Sequence, residues 1–304
     1  MSAAELLSVQ SPGAYLDTSV VRAYSGKDTW LKHASAHTSV LTLIELLDGS
    51  TAKVTEYLAR RAAIKRLIDF DIPIMRYLPI ITVMRAFPYV HGSIDLSTKA
   101  YDTVMDLAEV MMKTECAKDF EVHLNSSPVW LKLQQEYSSF ARDYLASFTD
   151  QTKSMRNAFA SSSNQDLAKL GIDKELKTSD RMRSFIKNPL NRASSLFALA
   201  KASAISIDQR GNEKVEKAIY ESYNQLARPY IDAIATTFIT RMSDSELPAM
   251  NDLYDQEHFA YLEPNVLLVS NDKRMRVLAS TIGLKAVGNI EFRRMAQFEI
   301  AKKK

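Results

Sequence analysis

Two carboxylates, far apart in the chain, each follow a short hydrophobic segment that predicts a β-strand. Asp17 comes directly after Ala14-Tyr15-Leu16, and Asp272 follows the apolar segment 266–269. The carboxyl ends of neighbouring parallel strands share one crevice, so these two acids are expected to lie close together if the two strands pair. Several carboxylates around one crevice are the ligands that a hard divalent cation prefers. The pattern therefore predicts a cation site built from both ends of the chain.

Two further acids stand where the local pattern does not require one. Glu45 interrupts an apolar helical segment, 40–48, which is preceded by Ser39 and closed by Gly49. A buried glutamate is uncommon unless it is paired or bound. Asp255 lies near the start of a predicted helix at 252–262. Each acid alone is also explained as a helix cap, a half-exposed residue or a charge favoured at a helix N-terminus.

The elements that must position these acids differ along the chain. Residues 252–298 alternate between predicted helices and short strands at 266–269 and 285–287, which is typical of a parallel sheet. From about 51 to 250 the chain is helical almost throughout and includes a predicted buried helix at 190–207. We therefore expect an α/β fold, in which a parallel sheet is flanked by helices, with a large and mostly α-helical insertion.

Composition sets further bounds. The chain has 304 residues with 39 basic and 36 acidic side chains, and a net charge of +3 neither requires nor excludes a nucleic-acid partner. Cys116 is the single cysteine, so a disulfide framework and a cysteine zinc site within one chain are excluded, and we expect it in the core. The N-terminus lacks a signal-peptide pattern, and no apolar run reaches the roughly 18 residues of a membrane span. We expect a cytoplasmic protein with no membrane partner.

Four short segments carry a resemblance to a known family. They are Tyr15-Leu16-Asp17-Thr18-Ser19, then Ser39-Val40-Leu41-Thr42-Leu43-Ile44-Glu45-Leu46-Leu47-Asp48-Gly49, then Asp255-Gln256-Glu257-His258-Phe259-Ala260-Tyr261, and Leu268-Val269-Ser270-Asn271-Asp272. Together they resemble the PIN nuclease domain. That family has an aspartate after its first strand, a glutamate in an early apolar helix, a third acid opening a later helix and a fourth in a Thr/Ser-x-Asp motif. The resemblance covers residues 13–50 and 250–298, and 51–249 is the helical insertion, which also supplies some core elements.

The resemblance implies a metal-dependent nuclease, an endoribonuclease more than a deoxyribonuclease. Its catalytic and metal-binding residues are Asp17, Glu45, Asp255 and Asp272. They are expected to hold Mg²⁺ or Mn²⁺ directly or through water, with Glu45 as a further ligand or as the group that orients the attacking water. Thr18, Ser270 and Asn271 are expected to support the acids. Asp252 is the rival of Asp255 for the third position, since it lies three residues earlier on the same helix face.

Basic residues supply the expected contacts to substrate. Lys273, Arg274 and Arg276 directly follow Asp272, and cations there can hold a phosphate backbone without sequence specificity. The cluster of Arg60, Arg61, Lys65 and Arg66 is instead typical of a solvated helix face.

Several alternatives stay open on the sequence. One is a non-catalytic PIN-like scaffold that binds a protein or a nucleic acid through its helical region. Another is a toxin whose crevice an inhibitory protein partner blocks. DNA instead of RNA as the substrate and assembly into a homo-oligomer are also left open.

Overall fold

The computed structural model describes residues 13–85, 99–187, 214, 228–243 and 249–302. These residues form two compact units. The first contains residues 13–82, 99–135 and 261–302, and the second contains 83–85, 136–187, 214, 228–243 and 249–260. The predicted buried helix at 190–207 lies outside the described residues.

A five-stranded sheet, parallel throughout, forms the base of the first unit. Its strands are β1 (Ala14–Leu16), β2 (Ala36–Ser39), β3 (Ile74–Met75), β4 (Leu267–Val269) and β5 (Ala286–Val287). In the spatial order β3-β2-β1-β4-β5, the first strand occupies the centre and pairs directly with β4. The register places Tyr15 opposite Leu268 and Leu16 opposite Val269. The predicted parallel sheet that joins both ends of the chain is therefore confirmed.

Helices account for most of the other described residues. In chain order they are α1 (Thr18–Ala23), α2 (Val40–Leu47), α3 (Val54–Asp69), α4 (Pro79–Arg85), α5 (Lys99–Lys113), α6 (Ala117–Ser126), α7 (Pro128–Ser161), α8 (Asn164–Lys169), α9 (Thr178–Lys187), α10 (Arg228–Ser243), α11 (Met250–Glu257), α12 (Lys273–Thr281) and α13 (Asn289–Lys302). Short 3₁₀ turns occur at Thr29–His33, Ser50–Ala52 and His258–Tyr261. Helices flank the sheet in the first unit, and the described part of the second unit is helical.

Local sequence explains how the first two helices begin and end. Asp17 caps α1, because its Oδ1 accepts a hydrogen bond from the Val20 N–H at 2.9 Å. Helix α2 ends at Leu47, and Gly49 then adopts a φ of 62°, a left-handed conformation that costs glycine little. Ser39 precedes α2 but its hydroxyl makes no capping bond and instead lies 2.8 Å from the Tyr15 hydroxyl.

Strand β2 is buried although its sequence, Ala36-His37-Thr38-Ser39, is largely polar. Its hydroxyls bond across the sheet instead of facing solvent: the Thr38 hydroxyl donates to the Leu16 carbonyl at 2.7 Å. Buried polar groups are tolerated when they find such partners. This strand was not predicted, because hydrophobic alternation is absent from it.

Helix α3 joins the helices around the sheet through two arginines. The Arg60 guanidinium donates to the carbonyls of Glu45 and Asp48 at the end of α2. The Arg61 guanidinium donates to the carbonyl of Met112 at 2.6 Å, at the end of α5. Cations are favoured at helix C-termini, where carbonyls lack partners. The prediction of a solvated basic face is therefore wrong for these two residues.

The second unit has an apolar core of its own. Phe159, Leu167 and Ile172 are buried together, and Phe185 and Phe238 pack against them. Cys116, in the first unit, is exposed, so its expected place in the core is wrong. In the part of the chain that the structure describes, no helix combines the length and the apolar character needed to cross a membrane.

Candidate active site

The pairing of β1 with β4 brings two acid-bearing loops together. The Asp17 N–H donates to the Val269 carbonyl at 3.2 Å, so the pairing continues to the last residue of each strand. Asp17 and Ser270 therefore emerge side by side where the strands end. Helix α2, which carries Glu45, starts at the end of β2 on the other side of β1. We call Asp17, Glu45 and Asp272, with the segments that carry them, the acidic edge.

Asp17 lies at the centre of the acidic edge and is only 4% exposed. Its carboxylate accepts hydrogen bonds from the Val20 N–H, from the Ser19 hydroxyl and from the Ser270 hydroxyl, the last at 2.6 Å. Donors of this kind stabilise a buried carboxylate in its charged form. Burial raises the pKa of the neighbouring Tyr24 well above its ordinary value. The negative charges of Asp28 and, to a smaller extent, Asp17 raise it further.

Asp272 caps helix α12 and is half-buried. Its Oδ1 accepts hydrogen bonds from the N–H groups of Arg274, at 2.6 Å, and Met275, at 3.2 Å. Its own N–H donates to the Ser270 hydroxyl at 3.0 Å. Ser270 therefore contacts both aspartates, which places the two acids near each other, as the sequence predicted.

Glu45 reaches the acidic edge from α2, where it is half-buried among fully buried apolar neighbours. The Thr18 hydroxyl donates to its Oε2. Because Thr18 directly follows Asp17, this bond ties the glutamate to the loop that carries the first aspartate. A chain of contacts thus runs from Glu45 through Thr18 and Asp17 to Ser270 and the Asp272 backbone.

Two residues beside the acids connect the loops. The Asn271 N–H donates to the Ser19 hydroxyl at 2.9 Å, and its side-chain amide lies 3.4 Å from the Ser19 carbonyl. The Asn271 side-chain oxygen, Oδ1, also accepts from the Asn289 N–H at 3.3 Å, at the start of α13. Asn271 therefore links the loop after β4 to the starts of α1 and α13. The sequence alone did not identify Ser19 as a site residue. The structure does, because the Ser19 hydroxyl lies between Asp17 and Asn271, which is 252 positions away in the chain.

The remaining predicted acid belongs to the second unit. Asp255 is half-buried on α11, so its part in the acidic edge stays a prediction. Its rival Asp252 has a clear structural role on the same helix: the Arg241 guanidinium donates to both carboxylate oxygens, at 2.7 and 2.9 Å. Asp252 Oδ2 also accepts from the Ala249 N–H at 2.8 Å. These bonds account for Asp252 as a structural residue of α11.

The three cations after Asp272 do not have the same surroundings. Lys273 and Arg274 are exposed at the start of α12. Arg276 is half-buried, and its guanidinium donates to the Ser270 carbonyl at 2.6 Å. Arg276 therefore holds the loop between β4 and α12, whereas the other two are open to a ligand.

The donor chemistry of the acidic edge fits a hard divalent cation. Among the described residues, no three Asp, Glu, His or Cys side chains form a group able to hold a metal ion. Mg²⁺, however, is usually bound by only about one or two protein carboxylates, with water and substrate phosphate completing its shell. Asp272 suits this role, because within the described part of the chain its Oδ2 takes no hydrogen bond.

Comparison with known proteins adds no relative. No protein-family model, curated protein or solved structure matches this chain. The PIN resemblance of the four segments therefore stays a prediction, and the acidic edge must be judged from its own chemistry. That chemistry is a set of carboxylates ordered by hydroxyl groups at the carboxyl edge of a parallel sheet, where ligands of such sheets bind.

Proposed function

We propose that this chain is a Mg²⁺- or Mn²⁺-dependent nuclease that hydrolyses phosphodiester bonds, with RNA favoured over DNA by the PIN resemblance. One observation carries the proposal. Asp17, Glu45 and Asp272, which come from three separate segments, meet at one edge of the sheet through the hydroxyls of Thr18 and Ser270. Polar bonds that fix the orientation of carboxylates are typical of metal sites.

Each residue of the acidic edge has a role in this proposal. Asp17 and Asp272 would hold the cation, and Asp255 is proposed as a third ligand. A bound cation lowers the pKa of a water molecule and offsets the charge that develops on the phosphate. Glu45 is proposed to orient the attacking water, with the Thr18 hydroxyl fixing its carboxylate. Lys273 and Arg274 would contact the phosphates beside the scissile bond.

A second candidate function is a scaffold without catalysis. The observation that favours it is that protein donors already bond each acid of the edge, as expected of structural caps. In that case the acids serve the folding of α1 and α12, and the helical region binds a protein or a nucleic acid. The two functions can be distinguished by experiment, because only the nuclease requires a divalent cation.

Cleavage assays test the proposal. Purified protein is incubated with mixed RNA and DNA substrates, with Mn²⁺ or with EDTA. We expect Mn²⁺-dependent cleavage that EDTA abolishes and that Asp272→Asn removes, since asparagine can still cap α12. Asp69→Asn is the matched control, because Asp69 is an exposed aspartate of α3 that pairs with Lys65. Full activity in Asp272→Asn would reject the site, and partner binding without any cleavage would favour the scaffold.

A further inference from the structure

We infer that Ser19 is a positioning residue, one that sets the place of Asp272 and therefore the affinity of the acidic edge for a divalent cation. The inference rests on the proposed function. Ser19 is half-buried at the start of α1. Its hydroxyl lies 2.8 Å from Oδ1 and 3.0 Å from Oδ2 of Asp17 and donates to this carboxylate. The same oxygen accepts the Asn271 N–H at 2.9 Å.

A hydroxyl can make both bonds at once, because it has one proton to donate and two lone pairs that accept. Ser19 therefore connects the start of α1, directly after Asp17, to the loop after β4. Its donor bond ends on the first aspartate, and its acceptor bond ends one residue before the second. The carbonyl of Ser19 adds another link, since the Asn271 side-chain amide lies 3.4 Å from it.

Ser270, in the loop after β4, makes an equivalent pair of bonds. Its hydroxyl donates to Asp17 Oδ2 at 2.6 Å and accepts the Asp272 N–H at 3.0 Å. Two serine hydroxyls thus donate to one carboxylate and accept two consecutive backbone N–H groups. Ser270 belongs to the same loop as the N–H group that it accepts, whereas Ser19 comes from the start of α1. The Ser19 bond is therefore one that fixes the loop of Asp272 relative to Asp17.

This position matters because the Asp272 side chain has little freedom of its own. Its Oδ1 is engaged by the N–H groups of Arg274 and Met275, so the direction of Oδ2 follows the backbone at 271–272. A shift of that backbone moves the oxygen offered to a cation. Changes in such outer-shell partners typically cost about 10–100-fold in metal affinity or activity.

Titration of the full chain with Mn²⁺ alone, followed by the electron paramagnetic resonance of free Mn²⁺, tests the role. We expect Ser19→Ala to weaken Mn²⁺ binding by about tenfold or more. Ser19→Thr keeps the hydroxyl and is expected to retain the wild-type affinity. The matched control is Ser163→Ala, because Ser163 caps α8 and likewise bonds a carboxylate, that of Asp166. It loses the same kind of bond, and its Mn²⁺ affinity is expected to stay unchanged.

The outcomes separate this role from the proposed function. Folded Ser19→Ala with the wild-type affinity for Mn²⁺ overturns the role of Ser19 and leaves the nuclease intact. A wild-type protein that binds Mn²⁺ but cleaves no nucleic acid overturns the nuclease, and loss of affinity in Ser19→Ala still supports the role. A wild-type protein that binds no Mn²⁺ overturns both. If Ser19→Ala does not fold, Ser19→Cys replaces it, and wild-type affinity in that variant contradicts the role.

Discussion

The Ser270 hydroxyl donates a 2.6 Å hydrogen bond to Asp17 Oδ2, between residues 253 positions apart in the chain. Both residues are buried, at 0% and 4% exposure, so the bond is shielded from solvent. It lies just beyond the pairing of β1 with β4 and therefore couples the ends of two central strands to the acids of the proposed site. A single contact thus serves both the fold and the proposed chemistry.

Replacement of Ser270 by alanine is predicted to destabilise the protein. The variant leaves Asp17 with one donor fewer and the Asp272 N–H without its acceptor, which is expected to lower the free energy of unfolding by about 1–3 kcal/mol. Urea denaturation followed by circular dichroism measures this change. Ser280→Ala is the control, because Ser280 is exposed on α12. Equal stability of the two variants would contradict the proposed importance of the bond.

The two candidate third acids are predicted to respond differently. Asp252→Asn removes the negative charge and one of the two oxygens that accept from the half-buried Arg241, so we expect a loss of about 1–3 kcal/mol in the free energy of unfolding with cleavage retained. Asp255→Asn is expected to lower cleavage by more than the roughly 10–100-fold cost of an outer-shell change. Cleavage rates and thermal unfolding of both variants decide between them. Loss of cleavage in Asp252→Asn alone would reverse the assignment.

Removal of charge from α12 is predicted to have two distinct effects. Arg274→Ala and Lys273→Ala remove exposed cations, so nucleic-acid binding should weaken and the slope of log affinity against log salt should fall by about one for each phosphate that is no longer neutralised. Arg276→Ala removes the bond to the Ser270 carbonyl and is expected to lower the unfolding temperature. Fluorescence anisotropy with labelled RNA at several salt concentrations measures the binding. If the affinity and the salt slope of Arg274→Ala are unchanged, Arg274 does not contact the nucleic acid.

Strand β2 is predicted to make stability depend on pH. Burial lowers the pKa of His37 from 6.5 to about 4, and a hydrogen bond with the Ala14 backbone opposes this shift only in part. Between these values the unfolded chain binds the proton and the folded chain does not, so acidification favours unfolding. The unfolding free energy should fall by about 3 kcal/mol from pH 7 to 4 because of this group. Well above pH 6.5 His37 is neutral in both states and has no effect.

Denaturation curves of the wild type and His37→Leu across this pH range isolate the contribution. The leucine variant cannot titrate at this position, so its stability should decline less on acidification, while the common contribution of the carboxylates cancels in the comparison. If the free energies of unfolding of the two proteins decline with pH by the same amount, His37 takes up its proton normally in the folded state and the prediction is wrong.

Much of the site could be predicted because its two main strands are apolar. Ala14-Tyr15-Leu16 and the segment before Ser270 are almost completely buried, so hydrophobicity marked both strands and the acid after each. The rule that parallel strands share a carboxyl edge then predicted that the two acids lie close together if the strands pair, and the structure shows this pairing. Glu45 was recognisable because a charge inside an apolar helix requires a partner, and the Thr18 hydroxyl donates to its carboxylate.

Other features depend on tertiary contacts that no local pattern contains. Strand β2 is buried through cross-strand hydroxyl bonds, and β3 has only two residues, so neither shows alternation. Arg60 and Arg61 resemble a solvated face until the ends of α2 and α5 are seen beside them. Ser19 is one serine among many, and only the placement of Asn271 beside it reveals its contact with the second loop.

The location of Mn²⁺ in crystals of the protein tests the central claim most directly. Anomalous diffraction from crystals soaked in Mn²⁺ should show a peak within ligand distance of the Asp17 or Asp272 carboxylate, since Mn²⁺ also prefers oxygen ligands. The same soak of Asp272→Asn crystals is expected to lose the peak. A wild-type crystal without Mn²⁺ at the acidic edge, or with Mn²⁺ bound only elsewhere, would contradict the account.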